Sequence, residues 1–304
     1  MLRKLLTLAI LAGLIGLGIF WLVTIPATIP ASALGAHTPN AANGQLMFHA
    51  GGCASCHATP KLKDRTQLGG GLGLKSPYGT FYVPNISSDR NDGIGNWTEA
   101  QFVTAMVKGT SPDGRHYFPA FPYTSYQRMT LPDIRDLFAY LKTVPAIQGR
   151  VRDHDIAFPF NIRRSLGGWK FLFLDGKPFV ADASKPQAWN RGAYLVNGPG
   201  HCGECHSPRN LLGGIVERQR FAGGPNPEGE GWVPNITQHG LSSWSESDIE
   251  KLLETGDTPS ADSVGGQMAL VVGNTARLGA EDRKAMAAYL KSLPALAGPK
   301  QPAK

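Results

Sequence analysis

"ANGQLMFHAGGCASCHATP", residues 42–60, has a counterpart in "NRGAYLVNGPGHCGECHSP", residues 190–208. Each joins a short amphipathic run to a Cys-x-x-Cys-His motif: Cys53, Cys56 and His57 in one, Cys202, Cys205 and His206 in the other. The likeness continues downstream. "VPNIS" (83–87) matches "VPNIT" (233–237), and "WTEAQFVTAMVKG" (97–109) matches "WSESDIEKLLETG" (244–256). Both copies close on apolar residues at helical spacing that run into a proline, "DIRDLFAYLKTVPA" (133–146) and "DRKAMAAYLKSLPA" (282–295). A repeat of this length sets the organisation of the chain. It predicts a mainly α protein with two tandem domains of one type, at 36–148 and 188–297. An N-terminal helix and linker occupy 1–35, and a tail occupies 298–304. The segment between the domains, 149–187, belongs to neither copy. It is too apolar for a free linker and is expected to pack across both domains.

All four cysteines lie in the two motifs, with none left over. CxxCH is the attachment signature of c-type haem. The spacing has a chemical reason: two thiols add to the two vinyl groups of one porphyrin, and the adjacent histidine then lies under the iron as its proximal ligand. A pair of disulfides or one zinc site would use the same cysteines. Two copies inside a repeat favour haem, with Cys53, Cys56, Cys202 and Cys205 as covalent attachment points and His57 and His206 as iron ligands. The expected cofactors are two covalently bound haem c groups.

Arg3 and Lys4 precede an uncharged stretch from Leu5 to Ile25. As a helix this run spans roughly 30 Å, enough to cross a bilayer core. Positive charge on its N-terminal side places the remainder across the membrane, so the expected location is the periplasmic side of the bacterial inner membrane. A retained anchor competes with a signal peptide cleaved after Ala31-Ser32-Ala33. The late position of that site, beyond Pro26 and Pro30, favours the anchor. The formal charge of +7 is no sign of nucleic-acid binding, because no basic run is interleaved with aromatics.

A methionine sulfur opposite the histidine is the usual sixth ligand of a haem electron carrier. In the second copy Met268, 24 residues after Trp244, is the expected ligand. The same distance from Trp97 falls on Phe121, in "FPAFPY", and phenylalanine cannot ligate iron. Met129 is the expected replacement at the first haem. Met106, His116 or an open iron are the alternatives. Arg163 and Arg164 are candidates for neutralising haem propionates.

With "GGCASCHATP", "SPDGRHYFPAFPYTSY", "FPFNIRRSLGGWKFLF" and "GHCGECHSPRNLLGG" in hand, the chain resembles the membrane-anchored multi-haem cytochrome c subunits of periplasmic dehydrogenases. The resemblance implies two cytochrome c-type domains in which Gly44 and Gly192 let the first helix approach the "AYL" helix of Tyr140 or Tyr289. It also implies that Pro84 and Pro234 offer their carbonyls to the proximal histidines, a bond that fixes the ring and tunes the metal. It further implies a relay from a periplasmic dehydrogenase catalytic subunit to quinone, a terminal oxidase or a soluble cytochrome. Many relatives read PAMPY where this chain has PAFPY, and many have three haem domains. The rival function is a haem enzyme, peroxidase-like or thiosulfate-oxidising, with the first iron open and His116 as a distal base. Against it, no cysteine remains to serve as a sulfur ligand. A haem-based sensor or a purely structural anchor is a further class, and no signalling domain follows residue 296.

Overall fold

The computed structural model describes residues 1–301, so the last three residues of the expected tail lie outside the described residues. The chain begins with α1 (Leu2–Val23), a helix of mean hydropathy 2.5 whose residues are all exposed. At 22 residues it is about 33 Å long, the thickness of a bilayer core.

The two copies of the repeat fold alike. The first contains α2 (Ala41–Ala50), α3 (Cys53–His57), α4 (Glu99–Lys108), α5 (Tyr123–Tyr126) and α6 (Leu131–Leu141). The second contains α8 (Gln187–Asn197), α9 (Gly203–His206), α10 (Glu246–Thr255), α11 (Gly266–Thr275) and α12 (Ala280–Ser292). In each, the helix before the motif packs on the closing helix, α2 on α6 and α8 on α12. Glycine makes the crossing possible. A Cβ at Gly44 would stand 2.0 Å from the Asp136 carbonyl oxygen, and one at Gly192 1.9 Å from that of Ala285.

Local chemistry repeats as well. Thr98 with Gln101 and Ser245 with Asp248 form capping boxes at the starts of α4 and α10, which satisfy backbone N–H groups that the first turn leaves without partners. Both helices end on a left-handed glycine, Gly109 or Gly256. The lysine after each "AYL" donates back to the loop before those boxes: Lys142 to the carbonyls of Ile94 and Trp97, Lys291 to that of Leu241. Sheet is sparse. Strands β1 (Gly73–Ser76) and β2 (Gly79–Tyr82) form a hairpin in the first copy, and β4 (Gly224–Pro225) pairs with β5 (Trp232–Val233) in the second.

The segment between the copies packs on both. Its short strand β3 (Asp155–Ile156) adds antiparallel to β2, and its helix α7 (Ser165–Phe173) follows. Trp169 on α7 donates its indole N–H to the carbonyl of Leu212 in the second copy, 2.8 Å away. The buried face of α7 carries Leu166, Gly167 and Lys170. Lys170 sends its ammonium to the carbonyl of Lys108 at 2.7 Å, to that of Gly109 at 2.5 Å and to Nδ1 of His116 at 3.0 Å.

Candidate haem sites

In α3 the residues Cys53, Cys56 and His57 stand at positions i, i+3 and i+4, so one helical face carries both thiols and the imidazole. Cys202, Cys205 and His206 repeat the arrangement at α9. No disulfide links any of the four cysteines. Burial pushes the Cys53 and Cys205 thiols up to about 12, and those of Cys56 and Cys202 to about 11. Burial also lowers His57 to about 4 and draws His206 below its usual value. Both imidazoles are therefore neutral, the form that ligates a metal.

The ring orientation is set from behind. Nδ1 of His57 lies 2.9 Å from the carbonyl oxygen of Pro84, and Nδ1 of His206 lies 2.8 Å from that of Pro234. With Nδ1 protonated toward the carbonyl, Nε2 keeps its lone pair for a metal. The asparagine after each proline fixes the carbonyl in turn. Asn85 donates to the carbonyl of Ile147 at 2.7 Å and accepts from the Ser87 N–H at 2.9 Å. Asn235 does the same with Leu296 and Thr237, at 2.7 and 2.8 Å. The "PN" pair thus ties the ring-orienting turn to the chain that follows the closing helix. Asn235→Ala removes both bonds. It is expected to cost about 1–3 kcal/mol, the penalty of stranding buried polar groups, and a melt matching the parent's would remove that role. The donor set fits haem c at both motifs: two unpaired thiols on one helical face, with a neutral imidazole whose far nitrogen is free.

The sixth-ligand candidates have different settings. Met268 lies in the first turn of α11, half-buried against the main core. Met129 is almost wholly buried, and its Cγ lies 3.7 Å from where a Cβ on Gly198 would stand. Tyr126, in the turn before it, is buried beside the Cys53 and Cys56 thiols. Phe121 packs among Tyr117, Tyr123 and Tyr126. Met106 faces the core from the last turn of α4.

Two of the alternatives named from the sequence have other partners in the fold. Both ring nitrogens of His116 are already engaged, Nδ1 with Lys170 and Nε2 with the carbonyl of Thr24 at 2.9 Å. The histidine is a structural post at the end of α1, not a ligand or a distal base. Arg163 donates to the carbonyl of His116 at 3.0 Å. Arg164 donates to Oγ1 of Thr24 at 2.8 Å and to the carbonyl of Trp21 at 2.7 Å. Both guanidiniums hold this same junction.

The motif pattern gave no sign of how close the two sites lie. His201, just before Cys202, has Nε2 3.2 Å from the carbonyl oxygen of Gly51, two residues before Cys53. Glu204, inside the second motif, is buried and accepts from Thr124 and Ser125 of the first copy, each at 2.8 Å, and from Arg209 at 2.8 Å. Those contacts hold its carboxyl below the usual range against the opposing effect of burial. Glu228, half-buried and raised by burial, stands near Cys56 of one motif and Cys205 of the other. Helix α11 also crosses to the first copy, where Asn274 donates to Ser55 at 2.9 Å. A glutamate between two cysteines carries no recognisable signal; only the fold shows that it reaches the other domain.

A cytochrome c family model matches residues 41–145. Over 293 residues the chain is 49% identical to a diheme cytochrome c-type protein of Cereibacter sphaeroides, covering 96% of this chain and 97% of that one. It is 39% identical over 273 residues to the fructose dehydrogenase cytochrome subunit of Gluconobacter japonicus, covering 88% of this chain and 55% of that one. With the gluconate 2-dehydrogenase cytochrome c subunit of Pantoea cypripedii it shares 33% identity over 264 residues, covering 82% and 58%. The chain spans little more than half the length of those two subunits. Its match to the Cereibacter protein runs nearly end to end, and its paired CxxCH helices agree with that protein's being diheme. The chain belongs to the di-haem c-type cytochromes, electron-transfer proteins that carry two covalently bound haem c groups.

Proposed function

We propose that this cytochrome is the anchored relay of a periplasmic dehydrogenase, passing electrons through its two haems to quinone, an oxidase or a soluble cytochrome. The observation that carries the reading is the direct abutment of the two attachment motifs, His201 against Gly51 and Glu204 against Thr124 and Ser125. Each haem supplies a one-electron ferric–ferrous couple. The chain's own residues set spacing and orientation. His57 and His206 offer neutral nitrogens held by Pro84 and Pro234, while Glu204 and His201 keep the two sites in register. Met268 is assigned as sixth ligand in the second domain and Met129 in the first, now that His116 is otherwise engaged. The similarity to the cytochrome subunits of fructose and gluconate dehydrogenases supports a catalytic partner of that kind. The latch between α1 and the segment 163–170 supports retention of the helix, because cleavage near residue 33 would remove Trp21 and Thr24 from it.

Affinity purification of the full chain in mild detergent tests the relay. A dehydrogenase is expected to co-purify, and its substrate should reduce both haems. Co-purification of none, or reduction of neither haem, would overturn the reading. The sixth-ligand assignments have their own check. Met268→Ala should abolish the methionine-to-iron absorption band of one haem, and Met129→Ala that of the other. Rapid carbon monoxide binding to one haem of the unaltered reduced protein would restore the haem-enzyme alternative.

A further inference from the structure

The C-terminal half of helix α7 reverses the pattern of an ordinary surface helix. It buries Lys170 and turns Phe171 and Leu172 outward, with Phe171 73% exposed. A water-facing helix shows the opposite arrangement. The loop before it is equally unusual: Phe158, Phe160 and Ile162 are all exposed, Phe158 at 78%. A third element joins them from the second domain, the turn bearing Leu211, fully exposed, and Leu212.

These three elements form one surface. Trp169 of α7 bonds the carbonyl of Leu212, and the Phe173 ring lies 2.5 Å from where a Cβ on Gly214 would stand. Tyr78 packs on Phe160 with ring centroids 4.8 Å apart, while its hydroxyl lies 3.2 Å from the Cβ position of Gly213. Contiguous apolar patches on this scale mark an interaction surface, whereas scattered single residues do not.

The position of α1 identifies what covers the patch. The N-terminal turn of α7 packs on the last turn of α1. A Cβ at Gly167 would stand 2.6 Å from Thr24, and one at Gly168 4.0 Å from the Phe20 ring. Arg164, beside them, stacks over Trp21 at 4.1 Å and bonds its carbonyl. An aromatic–cation pair of this kind is typical of the membrane–water boundary. A helix about 33 Å long that spans the hydrocarbon core ends at that boundary, so whatever packs on its last turn lies at the same depth.

We propose that α7's outer face, the loop 158–162 and the turn 211–212 form an apolar platform seated in the outer leaflet of the bilayer that α1 crosses. The proposal rests on reading α1 as a retained membrane span. The platform is a second membrane contact, contributed by both domains. It is distinct from the span because its side chains enter only the leaflet nearest the haem domains.

Spin labels on the full-length chain in vesicles of phosphatidylethanolamine and phosphatidylglycerol test it. Single cysteines are introduced as Phe171→Cys, Leu211→Cys, Leu14→Cys within the span, and Ser243→Cys as a water-facing reference. The native cysteines are haem-linked, so each variant has one labelling site. The platform predicts that labels at 171 and 211 are several-fold more accessible to oxygen, relative to a water-soluble nickel chelate, than the label at 243. Labels at 171 and 211 that match 243 while 14 reads as lipid-immersed overturn the platform, leave the anchor standing and assign the patch to a protein subunit. Labels at 171 and 211 in lipid with 14 in water overturn the span and, with it, the platform as placed beside that span. All three in water overturn both.

Discussion

Gly192→Ala is expected to destabilise the second domain by about 3 kcal/mol or more, at the upper end of overpacking costs. The new methyl carbon would stand 1.9 Å from the carbonyl oxygen of Ala285. That neighbour is helix backbone and cannot rotate away as a side chain would. The crossing of α8 and α12 must therefore open. Opening it disturbs Tyr194, Leu195 and Val196 on α8 and Met286, Tyr289 and Leu290 on α12, all buried. Gly44→Ala should do the same to α2 and α6, where Tyr140 and Asp136 lie against the glycine. Thermal unfolding followed by near-ultraviolet circular dichroism checks both. A loss below about 1 kcal/mol in either variant, the size of a routine substitution, would mean that the helices are not held at this distance.

The second large effect belongs to Glu204. Replacing it with alanine strips acceptors from Thr124, Ser125 and Arg209 at once. Breaking a buried ion pair from one side costs about 3–5 kcal/mol, because the surviving charge is left without compensation. Arg209 keeps the carbonyls of Gly213 and Glu204 as partners, which places the expected loss near the lower end. Glu204→Gln retains the hydroxyl contacts and should lose less. The distinguishing readout is the seam between the domains: Glu204→Ala should speed proteolysis near residues 121–129, whereas the glutamine variant should resist it. Equal acceleration in the two variants would show that the charge, lost in both, carries the whole effect and that the contacts to Thr124 and Ser125 contribute nothing.

Much of this architecture is legible in the sequence because repetition compares the chain with itself. The pairing of Trp97 with Trp244 and of "AYLK" with "AYLK" locates matching helices, and both pairs prove to cap and close them in the same way. CxxCH is legible because its chemistry demands a fixed spacing. The unread parts are long-range and polar. His116 lies beside the loop where a ligand was sought, yet its partners are 92 residues upstream and 54 downstream. Arg163 and Arg164 look like surface cations until the end of α1 is placed against them. Glu204 occupies a position where the motif permits almost any residue, and its role arises only when a second domain closes over it. Periodicity reports which face of an element is apolar; it holds no information on which distant carbonyl a buried charge will meet.

The stretch after α1 has a mechanical consequence. From Thr24 onward the chain is fastened to the first domain at short intervals: Ile29 bonds Thr104, Arg135 bonds the carbonyls of Leu34 and Gly35, and His37 and Asn40 both bond Asp136. A tether would leave these sixteen or so residues in water and let the domains swing on a leash tens of ångströms long. Here there is no slack. On the proposed reading of α1 as a membrane span, the helix acts as a pedestal, and the height of each CxxCH motif above its end is fixed by the fold. Electron partners would then have to come to this cytochrome at a set level, because it is built to stand and not to wander.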